Sequence, residues 1–245
     1  GNATAYWNIM SSAGTNGTDG TDLTSTLTTQ GDIVYRDGSG LARLGYGTAG
    51  QVLQTGGSGA NPSWGTVSSD YVKLGSTTLS GNATSVTLDI FNNTYKNYVV
   101  YVNDLTTSGG DQVYMRFRAS GSDLSTSSYR SIWGHPYRNN NGSTGNDTHS
   151  HWNDSFLKLA HNGLANDTSY GGQYVITFPN PRSTRVYKSI ILHATQFSAD
   201  EQQIDNYVGG GVYLSSDTTA LDGFKLYIGG GNFVNGGTFT YYGIK

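Results

Sequence analysis

Residues 112–120 read QVYMRFRAS, a stretch whose period is two. Val113, Met115, Phe117 and Ala119 alternate with Tyr114, Arg116 and Arg118. Successive strand side chains point to opposite faces, so this is a half-buried antiparallel strand with a polar outer face. SVTLDIF (85–91) repeats the pattern through Val86, Leu88 and Ile90. NYVVYVNDL (97–105) and YKSIILHATQF (187–197) are apolar on both faces, as central or interface strands are. GQYVITF (172–178), GGVYL (210–214), GFKLYIGG (223–230) and GTFTYYGI (237–244) bring the set to eight, with turn signals such as TSGGD, FPNP, LDG and VNGG between many of them. DSFLKLAHNGL (154–164) fits a strand better than the helix it first suggests. Composition argues the same way. Glu201 is the only glutamate, and charged residues make up 13% of the chain, against about 25% in ordinary globular domains. Strong helix formers are scarce and β-branched and aromatic residues plentiful. The expected fold is all-β, with an antiparallel, jelly-roll-like β-sandwich head over residues 68–245.

The preceding 67 residues are different. Residues 1–30 are a polar leader, too poor in apolar side chains for a lone chain to offset its ordering entropy, and are expected to be either disordered or extended and packed against other chains. Residues 31–67 carry three short strand-like units, DIVYR, LARLGY and QVLQT, with RDGSG as the first turn. They read as a small Gly-rich β-meander connector without an independent core. Ile33, Val34, Leu44, Val52, Leu53 and Trp64 are its apolar residues. They are too few for a core in one chain, so their burial should come from partners.

A net charge of −3 gives no field to gather nucleic acid or anionic lipid. No apolar run approaches the ~18 residues of a membrane helix, and no basic–apolar leader marks a signal peptide. Without cysteine there are no disulfides and no thiolate metal sites. Gly45, Gly47 and Gly50 match the G-x-G-x-x-G nucleotide fingerprint. No helix of useful length can follow them, so they are turn glycines. Asp200, Glu201 and Asp205 cluster in SADEQQID, yet nothing places two of them across a substrate. No nucleophile elbow or zincin motif is present, and no enzyme activity is expected.

Residues 132–152, IWGHPYRNNNGSTGNDTHSHW, mix aromatics with Asn, His and Arg. Trp133, His135, Tyr137, Arg138, Asn139 and Trp152 are the candidate ligand contacts, the tryptophans and Tyr137 as stacking platforms for sugar rings and the polar groups as hydrogen-bond partners. The two tryptophans would serve equally as caps on the core. His149 and His151 share a face if their segment is extended. One pair is an incomplete site in a stretch that reads as a solvated loop, so no metal or other cofactor is expected.

LTTQGDIVYRDGSGLARLGYGTAGQVLQTGGSGANPSWG (27–65) resembles a segment of bacteriophage tail fibres and related virion proteins, particularly those of marine phages. The LTTxGD opening, the GLARL and GTxGQVL middle and the closing PxW are carried by Leu27–Asp32, Gly40–Leu44, Gly47–Leu53 and Pro62–Trp64. YKNYVVYVNDL and the final TFTYYGI carry a looser likeness to the C-terminal sandwiches of such fibres. The resemblance implies the C-terminal part of a homotrimeric fibre, made in the bacterial cytoplasm and carried on the virion beside other virion proteins. Its head would bind a host-surface glycan or protein. It implies no catalytic residue. H-x-H metal pairs occur at some fibre tips, where three chains would supply six imidazoles. A head fibre, decoration protein or connector without a receptor is the alternative, and a polysaccharide depolymerase the third, for which no solenoid repeat is found.

Overall fold

The computed structural model describes residues 23–166, 168–199, 203–215, 218–234 and 236–245. Most of the expected leader, residues 1–22, lies outside them, as do Asp200 and Glu201. Strands account for 54% of the structure and helix for 3%. The chain divides into two units, residues 1–69 and 70–245.

In the first unit a single helical turn, α1 (Leu23–Thr26), precedes two separate hairpins. β1 (Ile33–Arg36) pairs with β2 (Leu41–Leu44), and β3 (Gln51–Gln54) with β4 (Ser63–Thr66). The expected meander is therefore corrected. β2 and β3 do not pair, and the fourth strand is built on the closing PSWG. Asp37 makes the first turn, its carboxylate accepting from the Ser39 and Gly40 amides at 2.7 and 2.9 Å. These bonds hold the carboxyl below its usual pKa. The nucleotide-like glycines seat Trp64, since a Cβ on Gly47 would lie 2.8 Å from its ring. A strand, not a helix, follows them. Ile33, Val34, Leu44 and Trp64 are half-buried, while Val52 and Leu53 are 40% and 49% exposed. None of the described residues of this unit is buried.

The second unit is a sandwich of unequal sheets. The large sheet contains β5 (Tyr71–Thr78), β7 (Asn97–Leu105), β10 (Tyr129–Asn139), β11 (Thr144–Asp154), β13 (Gly172–Pro179), β14 (Lys188–Phe197), β15 (Gln203–Tyr213) and β17 (Thr238–Ile244). Its strand order is β11-β10-β15-β14-β13-β7-β17-β5. The small sheet runs β12 (Leu157–Lys158), β8 (Val113–Ala119), β16 (Gly223–Ile228), β6 (Ser85–Leu88), with β9 (Ser122–Asp123) beside β8. All pairings are antiparallel. The eight segments read as strands are all strands; β5 and β9–β11 were not anticipated. The 154–164 window holds only the short β12 and no helix.

Val113, Met115, Phe117 and Ala119 are buried as the alternation requires. Phe117 meets Phe178 of the large sheet, Phe178 stacks on Phe224 with centroids 4.7 Å apart, and Tyr129 and Tyr213 close the cluster. The Tyr129 hydroxyl is satisfied twice, accepting from the Phe117 amide and donating to the Leu124 carbonyl. Arg118 pairs with Asp89 and Asp123 on the small sheet's polar outer face.

Glycines 209–211 allow β15 to lie flat between β10 and β14. A Cβ on Gly209 would sit 2.5 Å from Trp133 Cα, and closer still to the Ile132 carbonyl oxygen. Backbone atoms cannot swing aside as a side chain can. Gly209→Ala is therefore expected to destabilise the domain by about 1–3 kcal/mol through overpacking, measurable as a lower urea midpoint with unchanged slope.

Candidate functional site

The stretch expected to be a recognition loop is a long hairpin, β10–β11, turning at residues 140–143. It forms one edge of the large sheet. Its register places Arg130 opposite Trp152, Ile132 opposite Ser150, Trp133 opposite His149, and His135 opposite Asp147. Odd-numbered residues 131–137 and 145–151 thus face inward. Arg130, Ile132, Ser150 and Trp152 face out.

This parity separates the six candidate contacts. Trp133 is buried in the core, against Tyr207. His135 is buried as well. Both are corrected as contacts for an external ligand: they occupy the inner face. Tyr137 is half-buried beside His135, with centroids 5.2 Å apart. Arg138 is exposed, and Asn139 braces the hairpin tip by donating to Ser143 Oγ at 2.9 Å. Of the six, Trp152 alone is a large aromatic open to solvent, 67% exposed on the outer face.

Arg130 lies over one side of the Trp152 indole, its guanidinium carbon 3.6 Å from the ring centroid. That cation–π contact fixes the ring and leaves its other side for a ligand. Beside it runs a groove of about 560 Å³ lined by Arg130, Ile132, Ser150, Trp152, Ser189 and Gly210 among others. Ile132 of β10 and Ile191 of β14 stand opposite Gly210, the side-chain-free position between them. An apolar groove with few placed polar groups, in this size range, is what small-ligand sites have.

The inner face of the same hairpin carries a second constellation. His135 Nε2 lies 2.9 Å from Asp205 Oδ1, and its Nδ1 lies 3.1 Å from His149 Nε2. His149 stacks on His161, with centroids 3.7 Å apart and planes 10° from parallel. The His135 ring lies flat on Tyr207. Asp205 is wholly buried and accepts from Tyr207 Oη and Asn162 Nδ2 at 3.0 Å each, and from Gln203 Nε2. Burial pushes the imidazoles of His149 and His161 below their usual pKa, and the facing imidazole, His135 for the first and His149 for the second, pushes further the same way. His151, expected to pair with His149, instead stacks on Trp133 and approaches Asp154.

Asp147, His161, Asn162 and Tyr207 were not singled out from sequence. D-x-H-x-H over 147–151 carried the signal, because a period of two puts all three on one strand face. His161 and Asn162, on a connecting segment, left no such trace. Asp205 reaches the site from the acidic cluster, but as a buried hydrogen-bond hub. No protein-family model, curated protein sequence or solved structure matches this chain.

Proposed function

We propose that the chain is part of a homotrimeric bacteriophage fibre whose β-sandwich head attaches the virion to a host-surface glycan. The resemblance over residues 27–65 supports the virion assignment. The first unit, which buries none of its described apolar residues, supports assembly through copies of the chain. The observation that carries the adhesive role is the clamped, exposed Trp152 beside its groove. A sugar's C–H face stacks on an open indole, while Arg130, Ser150 and Ser189 are placed to bond its hydroxyls. Three such heads on one fibre multiply weak individual binding through avidity.

Trp152→Ala should reduce adsorption to host cells by at least tenfold while leaving the oligomer mass and thermal midpoint unchanged. A monomeric wild type would end the trimeric reading. If Trp152→Ala breaks the oligomer, the groove is a contact between copies and the receptor binds elsewhere. Unchanged adsorption with an intact oligomer removes the groove from recognition altogether.

A further inference from the structure

The inner-face histidines have a geometry that packing alone does not require. His135 commits its Nε2–H to Asp205, so a neutral imidazole directs its Nδ1 lone pair away from that carboxylate. The pair of nitrogens there, His135 Nδ1 and His149 Nε2, is 3.1 Å apart. Two metal–nitrogen bonds of about 2.0–2.1 Å, at angles between octahedral and tetrahedral, hold their nitrogens about 2.8–3.4 Å apart. Asp147 stands directly across the ladder from His135. Ligand atoms of all three residues lie within 4.8 Å of one another. Only His135 of the three is buried, so an ion can enter from the Asp147 side and keep water on its remaining positions.

The surroundings are those of a supported site. Metal-bound histidines commonly donate their second N–H to a carboxylate, which orients the ring and raises its basicity. Asp205 does this for His135, and is itself held by Tyr207, Asn162 and Gln203. Tyr207 fixes the plane of the His135 ring, and His161 that of His149. Without an ion the pair is a single hydrogen bond, which needs neither Asp147 nor the four-donor support of Asp205.

We propose that His135 Nδ1, His149 Nε2 and an Asp147 carboxylate oxygen bind a divalent first-row transition ion of zinc's class, one per chain. Two imidazoles with one carboxylate select Zn²⁺, Co²⁺ or Ni²⁺ over Mg²⁺ and Ca²⁺, whose preferred ligands are all oxygen. The ion cross-links β10 to β11 partway along the hairpin, nearer its tip than its open end, on the face opposite Trp152. This site lies within one chain and uses neither His151 nor a threefold axis.

The test is calorimetric titration of the chelator-stripped full chain with Zn²⁺ and Co²⁺, with Mg²⁺ as comparator, alongside thermal melts. The expected result is one Zn²⁺ per chain, micromolar or tighter, a raised thermal midpoint, and no heat from Mg²⁺. Bound Co²⁺ should give visible d–d absorption. His149→Ala and Asp147→Asn should each weaken binding at least tenfold, whereas His151→Ala should leave it intact. Asp147 is exposed, so its variant folds and keeps the test decisive. Absence of Zn²⁺ binding, or binding that survives both ligand variants, overturns the proposal. So does binding that His151→Ala abolishes.

Discussion

Trp133→Ala should lower the stability of the sandwich by about 3–5 kcal/mol, the usual cost of truncating a buried tryptophan. For a domain of this size that corresponds to a thermal midpoint lower by roughly 6–20 °C. The indole is buried between sheets, edge-on to Tyr207 and stacked with His151 at 5.5 Å. Beside Tyr207 on β15 it also meets the backbone of Gly209, held by ladder bonds, so that wall of the cavity cannot collapse inward. Trp152→Ala, three ladder pairs from the His149 that faces Trp133, is expected to change stability by less than about 0.5 kcal/mol. Differential scanning calorimetry of the two variants measures the contrast. A loss below 1 kcal/mol for Trp133→Ala, or a large one for Trp152→Ala, would reverse the assignment of inner and outer faces.

Asp205→Ala should be comparably severe, about 3–5 kcal/mol. The carboxylate is the common acceptor for His135, Asn162, Gln203 and Tyr207, which come from two strands and a connecting segment. Removing it leaves several buried donors without an acceptor, and each such donor costs about 1–3 kcal/mol of desolvation. Tyr207→Phe is the comparison. It removes one donor to Asp205 and the acceptor of the Asn162 amide while leaving the carboxylate engaged by its other partners, so a smaller loss of about 1–2 kcal/mol is expected. Urea denaturation of both variants reads the difference. Near-equal midpoints would mean that Asp205 is a bystander in a site organised by ring packing.

Much of the fold was legible because a two-sided sheet writes its burial as alternation. Val113–Ala119 shows this most plainly, and the strands around it follow. The hairpin β10–β11 escaped for a physical reason. It extends past the apolar core, so its inward positions include Asp147, His149 and His151 rather than leucines, and both faces look polar in sequence. Pro136 added to the disguise. It sits in β10 where pairing to β15 lapses, between Gly134–Val208 and Tyr137–Asp205, and so needs no N–H there. Reading Trp133 and Trp152 as one platform failed on parity. Nineteen residues apart across a hairpin, they project from opposite faces of the sheet. The first unit was misread at β4 because PSWG carries no alternating pattern, and only its ladder to Gln51–Gln54 makes it a strand.

The mismatch between eight strands and five has a consequence for how such a head can vary. The small sheet ends at β12, leaving the inner face of β11 as a ledge whose side chains point inward yet touch water. That ledge is shaped by ladder registry, not by loops. Residues 140–143 at the hairpin tip can therefore change in length or composition without displacing His135, Asp147 or His149. The hairpin tip and the part that holds the strands together can diverge at different rates.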